Sequence, residues 1–99
     1  MIDNLKNINS YQDVDNLVFK LNNNKFINIR FSSNNIKHYL FSKLHESPET
    51  YNIINCNSGI ERFYEDYQLE GIKVFDNLNL CKDLDILKIV NNTKGILIW

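Results

Sequence analysis

Tyr51-Asn52-Ile53-Ile54-Asn55-Cys56-Asn57-Ser58-Gly59-Ile60-Glu61-Arg62 (residues 51–62) joins a short β-branched run to a polar loop and then to the start of a helical period. Tyr51 through Asn55 has the length and composition of a strand. Beyond Gly59, the spacing of Ile60, Phe63, Tyr64, Tyr67 and Leu69 is mainly that of a helix with one buried face. This stretch therefore reads strand, loop, helix.

The same unit recurs on either side. Residues 26–31 form an apolar run with Phe26, Ile27, Ile29 and Phe31; Ser32, Ser33, Asn34 and Asn35 supply turn and N-cap chemistry, and Ile36, Tyr39, Leu40 and Leu44 resume a helical period. Ser47 and Pro48 end that helix. Ahead of it, Val14, Leu17, Val18 and Leu21 mark a first helix over residues 11–21, closed by the turn-forming Asn22, Asn23 and Asn24. Downstream, Gly71 sits where a helix C-cap belongs, residues 72–75 form a third apolar run, residues 76–79 lead into a helical pattern over 80–90, and the tail from Gly95 to Trp99 is apolar. Strands alternating with helices imply a mainly parallel sheet with helices on both faces, a single three-layer α/β domain over residues 1–99. In such a sheet the loops at the carboxyl ends of the strands gather along one edge, where ligands bind. That edge should hold residues 32–35, 56–59 and 76–79.

Composition fits this size of domain. With 43% hydrophobic and 12% aromatic residues, 99 residues can close one core without a metal or a disulfide. A net charge of -1, with acidic and basic residues mixed along the chain, offers no footprint for nucleic acid or an anionic membrane. Residues 1–10 lack the unbroken apolar core of a signal peptide, and no run approaches membrane-spanning length, so a cytoplasmic location is expected. Cys56 and Cys81 do not make a disulfide framework, and both thiols should be free. The wealth of Asn and the lack of Ala fit an A- and T-rich genome better than a functional demand.

The loop of residues 56–62 carries the strongest chemical pattern. It places the Cys56 thiol and the Arg62 guanidinium at its two ends, with Asn57, Ser58, Gly59, Ile60 and Glu61 between them as a candidate anion-binding loop. Backbone N–H groups can curl around an anion there, helped by the N-terminus of the following helix, while Arg62 grips two oxygens. The same field would favour a thiolate nucleophile at Cys56. The bland alternatives are a small buried hydrophobe at a strand end for Cys56, and a helix-surface ion pair with Asp66 for Arg62.

Cys-x-x-Gly-x-x-Arg after a hydrophobic strand resembles the active-site loop of rhodanese-like proteins and of cysteine-dependent phosphatases. Asn28-Ile29-Arg30 is similar to the rhodanese Asp-Val-Arg, and residues 90–99 (VNNTKGILIW) resemble that family's closing Gly-Gly-x-x-x-Trp segment. The five residues between Cys56 and Arg62 are closer to the phosphatase and arsenate-reductase branch, although Asn55 and Phe63 stand where that branch commonly has His and Ser or Thr. The resemblance implies a rhodanese-like fold in which residues 86–90 are a strand, against the helical period of those residues. It also implies catalysis by Cys56 and Arg62, either sulfur transfer or phosphate-type ester chemistry, on a small thiol or anionic substrate. The other reading is a catalytically inactive rhodanese-like or other α/β module that binds a protein partner.

No cofactor or metal is expected. His38 and His45 lie seven residues apart, about 10 Å along a helix, too far to share a metal. Lys37 follows a strand and loop, but without the Gly-rich frame of a phosphate loop. Asp76 fits a helix cap better than a general acid. Cys81 reads as structural, and Trp99 as a core anchor.

Overall fold

The computed structural model describes residues 5–21 and 27–99. The Asn22–Asn24 turn and Phe26 lie outside the described residues. Five strands, β1 (Leu5–Ile8), β2 (Ile27–Phe31), β3 (Tyr51–Asn55), β4 (Ile72–Asp76) and β5 (Ile96–Ile98), form one sheet in the order β1-β2-β5-β4-β3, every neighbouring pair parallel. Four helices connect them: α1 (Tyr11–Leu21), α2 (Asn34–Glu46), α3 (Ile60–Tyr67) and α4 (Leu84–Asn91). The expected three-layer α/β architecture is what the chain adopts.

Each layer follows from a sequence pattern. Val14, Leu17 and Leu21 of α1 and Ile36, Leu40 and Leu44 of α2 are buried together against Ile27, Ile29, Val74, Ile96 and Ile98 on the first face of the sheet. Phe63 of α3 and Ile86 and Val90 of α4 close the second face over Ile54, Phe75 and Leu97. Because β5 lies in the middle and is covered on both faces, all three of its residues are buried, Ile96 and Ile98 toward one layer and Leu97 toward the other. The apolar tail noted in the sequence is therefore the central strand.

Local chemistry fixes the ends. Ser10 Oγ accepts from the Asp13 N–H at 3.1 Å while Asp13 Oδ2 accepts from the Asn9 N–H at 2.9 Å, opening α1. Asn52, buried on β3, donates to the carbonyls of Asp66 and Leu69 at 2.6 and 3.1 Å, and this satisfies the C-terminal end of α3. Gly95 lets β5 enter the sheet, since a Cβ there would come within 2.6 Å of the Lys73 carbonyl.

Details differ from the sequence reading, Gly71 among them, since α3 ends at Tyr67 with Gln68 as its C-cap. Residues 86–90, a strand by the rhodanese resemblance, belong to α4; Asp83 caps that helix by accepting from the N–H groups of Asp85 and Ile86, and the 3.6-residue period of Ile86, Ile89 and Val90 prevails. The helical pattern over 80–90 is itself divided into a 3-10 turn at Leu78–Leu80 and α4 proper. Residues 5–8 form an edge strand without a clear sequence signature, because only Ile8 of the four is buried.

Candidate functional site

The sheet order determines where a crevice opens. After β2 the chain turns to α2 on the first face; after β4 it turns toward α4 on the second; β5 lies between those two strands. Loops departing to opposite faces leave a gap above the strand between them. That gap is a cavity of about 630 Å³, with Ser32, Ser33 and Lys37 on one wall and Asp76, Asn77 and Asn79 on the other. Phe31, Leu80 and Trp99 add apolar surface. Two of the three expected loops, 32–35 and 76–79, thus meet at one site.

An ion pair joins its walls. Lys37 Nζ lies 3.2 Å from Asp76 Oδ1 and 3.5 Å from Asn77 Oδ1, with only 15% of the Lys37 side chain and 11% of the Asp76 side chain exposed. Asp76 Oδ1 also accepts from the Asn77 N–H at 2.8 Å. Asp76 is not a helix cap: its carboxylate is turned across the crevice to α2, and Asn77 holds the N-cap position of the 3-10 turn without a side-chain cap bond. Asn77 adopts a left-handed φ of 59°, a conformation Asn tolerates better than most residues. Opposite, Ser33 caps α2 by accepting from the Ile36 N–H at 3.4 Å. Trp99 is fixed by its backbone N–H to the Ile29 carbonyl and its indole N–H to Asn28 Oδ1, both at 2.9 Å.

The loop after β3 is built differently. Cys56 directly follows β3 and is turned inward, 2% exposed, among Ile54, Phe63, Phe75 and Leu78. Burial, with smaller contributions from the charges of Cys81 and Asp76, pushes its thiol up to about 12, so it is protonated at neutral pH. The Asn57 N–H, one of the amides expected to hold an anion, donates instead to Asn55 Oδ1 at 3.0 Å, and Ser58 Oγ donates to the Asn55 carbonyl at 2.9 Å. Gly59, at φ 93°, is the N-cap of α3; Ile60 packs half-buried on the second core cluster, and Glu61 is exposed. Arg62 lies on the outer face of α3 with two thirds of its side chain exposed, Nε 3.3 Å from Asp66 Oδ2. Neither a hydrogen bond nor an ion pair joins it to Cys56 or to residues 57–59.

A separate hollow of about 450 Å³ adjoins this loop, bordered by Cys56, Asn57, Gly59, Leu80, Lys82, Asp83 and Ile86. Both thiols are free. Among the described residues no group of three His, Cys, Asp or Glu could hold a metal ion, and no helix is long and apolar enough to cross a membrane. Comparison with known proteins finds no matching family model, no matching curated protein and no matching solved structure.

The sequence missed the partnership of Lys37 with Asp76, residues 39 apart in the chain. The available signal was an Asp at the end of an apolar strand, on the same sheet edge as a Ser-rich turn. That Lys37 would face it depends on β5 inserting between β2 and β4, which no local pattern encodes.

Proposed function

We propose that this chain is a binding domain for a small polar molecule, held in the crevice between the loops after β2 and β4, and that Cys56 serves the core. The observation that carries this reading is the largely buried Lys37–Asp76 pair within a cavity of about 630 Å³ where the chain leaves β2 and β4 for opposite faces. The volume is in the range that holds small ligands, and convergent polar groups are what such sites use for orientation. A charged pair that bridges two loops also holds those loops at a fixed separation before any ligand arrives, which reduces the ordering cost of binding. The cysteine chemistry expected from residues 56–62 draws no support from a protonated, enclosed thiol and an arginine paired elsewhere.

The test is a fragment screen by two-dimensional amide NMR on the full chain. Hits should perturb residues 32–37, 76–80 and Trp99 together. A screen whose hits map to the Cys56 hollow or to the outer faces of α1 and α2, or that yields no hits, would overturn the reading.

A further inference from the structure

We infer that the ligand of this crevice is a neutral polyhydroxylated molecule, a sugar or similar polyol; this rests on the binding reading above. The argument starts from Asp76. Its residue surface is 8% exposed, and Oδ1 takes both protein contacts, from Lys37 Nζ and from the Asn77 N–H. Oδ2 has no hydrogen bond among the described residues. Among the described residues no buried side-chain oxygen or nitrogen is sealed off without a partner, so Oδ2 opens to the crevice that Asp76 lines. A carboxylate oxygen only accepts hydrogen bonds, so the position demands an O–H or N–H from whatever binds.

Charge narrows the choice. An anion entering the crevice meets Oδ2; a cation meets the ammonium of Lys37. With the two charges 3.2 Å apart and mostly buried, the pair is close to neutral as seen from the cavity, and a ligand of either sign would have to pull it apart. The Ser32 and Asn79 side chains also line the cavity, and neither has a hydrogen bond among the described residues. Ser offers a hydroxyl that donates and accepts, and Asn an amide that does both. One acceptor-only oxygen beside two such groups matches hydroxyls, each of which can donate to one and accept from the next. Phe31, Leu80 and Trp99 supply the apolar contact that the C–H face of a ring sugar needs.

Trp99 is the only tryptophan of the chain, so its emission reports on the crevice directly. Trp99 fluorescence and amide NMR would be followed while adding D-ribose, D-glucose, inorganic phosphate or methylammonium chloride in separate titrations. The expected result is a saturable response to a sugar at Ser32, Asp76, Asn79 and Trp99, with affinity lowered about tenfold in Asn79→Ala or Ser32→Ala, the loss of one useful hydrogen bond. Both positions are exposed and without side-chain bonds, so both variants should fold, as their amide spectra would verify. A saturable response to phosphate or methylammonium in place of the sugars would overturn the polyol assignment while leaving the crevice as a binding site. Silence to all four, or a sugar response unchanged in both variants, would overturn it too; fragments that still map to the crevice would then keep the binding reading separate from that failure.

Discussion

Alkylation of Cys56 separates a buried core thiol from an activated nucleophile more sharply than any activity assay. Burial raises the thiol from an ordinary 9.0 to about 12, three units that lower the thiolate fraction near neutral pH by about a thousandfold. The thiol is also 2% exposed, so a reagent must wait for an opening of the β3–α3 corner, which slows labelling further. The assay follows iodoacetamide labelling at each cysteine by mass spectrometry, over a pH series, in the native chain, in urea and in Arg62→Ala. Native Cys56 should label at least about a thousand times more slowly than in urea, and Arg62→Ala should leave that rate unchanged, because Arg62 bonds Asp66 and not the thiol. Labelling of native Cys56 at a rate near that in urea, with an apparent pKa below 9.0 that rises when Arg62 is removed, would refute the reasoning and restore an anion cradle at residues 56–62.

The same thiol links stability to alkaline pH. Its folded pKa is raised, so the unfolded chain loses the proton first, and stability should fall as pH climbs from 9.0 toward 12, by up to about 1.4 kcal/mol per unit. Urea melts of the native chain and of Cys56→Ala across that window should differ in slope by this amount. Lys37→Met strands the Asp76 carboxylate in the crevice wall and should destabilise the fold by about 3 kcal/mol; the double variant Lys37→Met/Asp76→Leu should recover most of the loss. Phe63 is fully buried and stacks on Tyr67 and Phe75 at 5.7 and 6.2 Å, so Phe63→Ala should cost about 3–5 kcal/mol by chemical denaturation. Gly95→Ala drives a methyl against the Lys73 carbonyl, backbone that cannot swing aside, and should lower the melting temperature.

Much of the fold was legible because its determinants are local. The spacing of Val14, Leu17 and Leu21, and the turn chemistry of Ser33, needed no knowledge of the rest of the chain. The loose match of residues 90–99 to a closing rhodanese segment misled where the helical period over 86–90 did not, since a period of several residues constrains packing and a few shared letters do not. Strand order was beyond local reading. Nothing in residues 96–98 except unbroken apolarity marks them as the centre of the sheet, yet their insertion there is what separates the loops after β2 and β4. The edge strand β1 escaped for the opposite reason, having too little buried surface to leave a pattern.

The Cys56 loop carries a different lesson, because both periods needed to judge it were already in its letters. On β3, positions 52 and 54 share a face, and Ile54 commits that face to the core; Cys56, just past the strand, follows the same alternation inward. On α3, Phe63 and Tyr67 lie one turn apart on the core side, which leaves Arg62 on the outside, paired with the half-buried Asp66 one turn on. The motif joins a residue whose period points in to one whose period points out. A cradle would need Arg62 to return over the loop, exchanging an ion pair already made for contact with a thiol that burial keeps neutral. Lys37, in the first turn of α2, and Asp76, at the end of β4, by contrast meet where the chain leaves β2 and β4 for opposite faces of the sheet. Polar groups there stay half-buried between the two loops, and this is the observation on which the proposed binding reading rests.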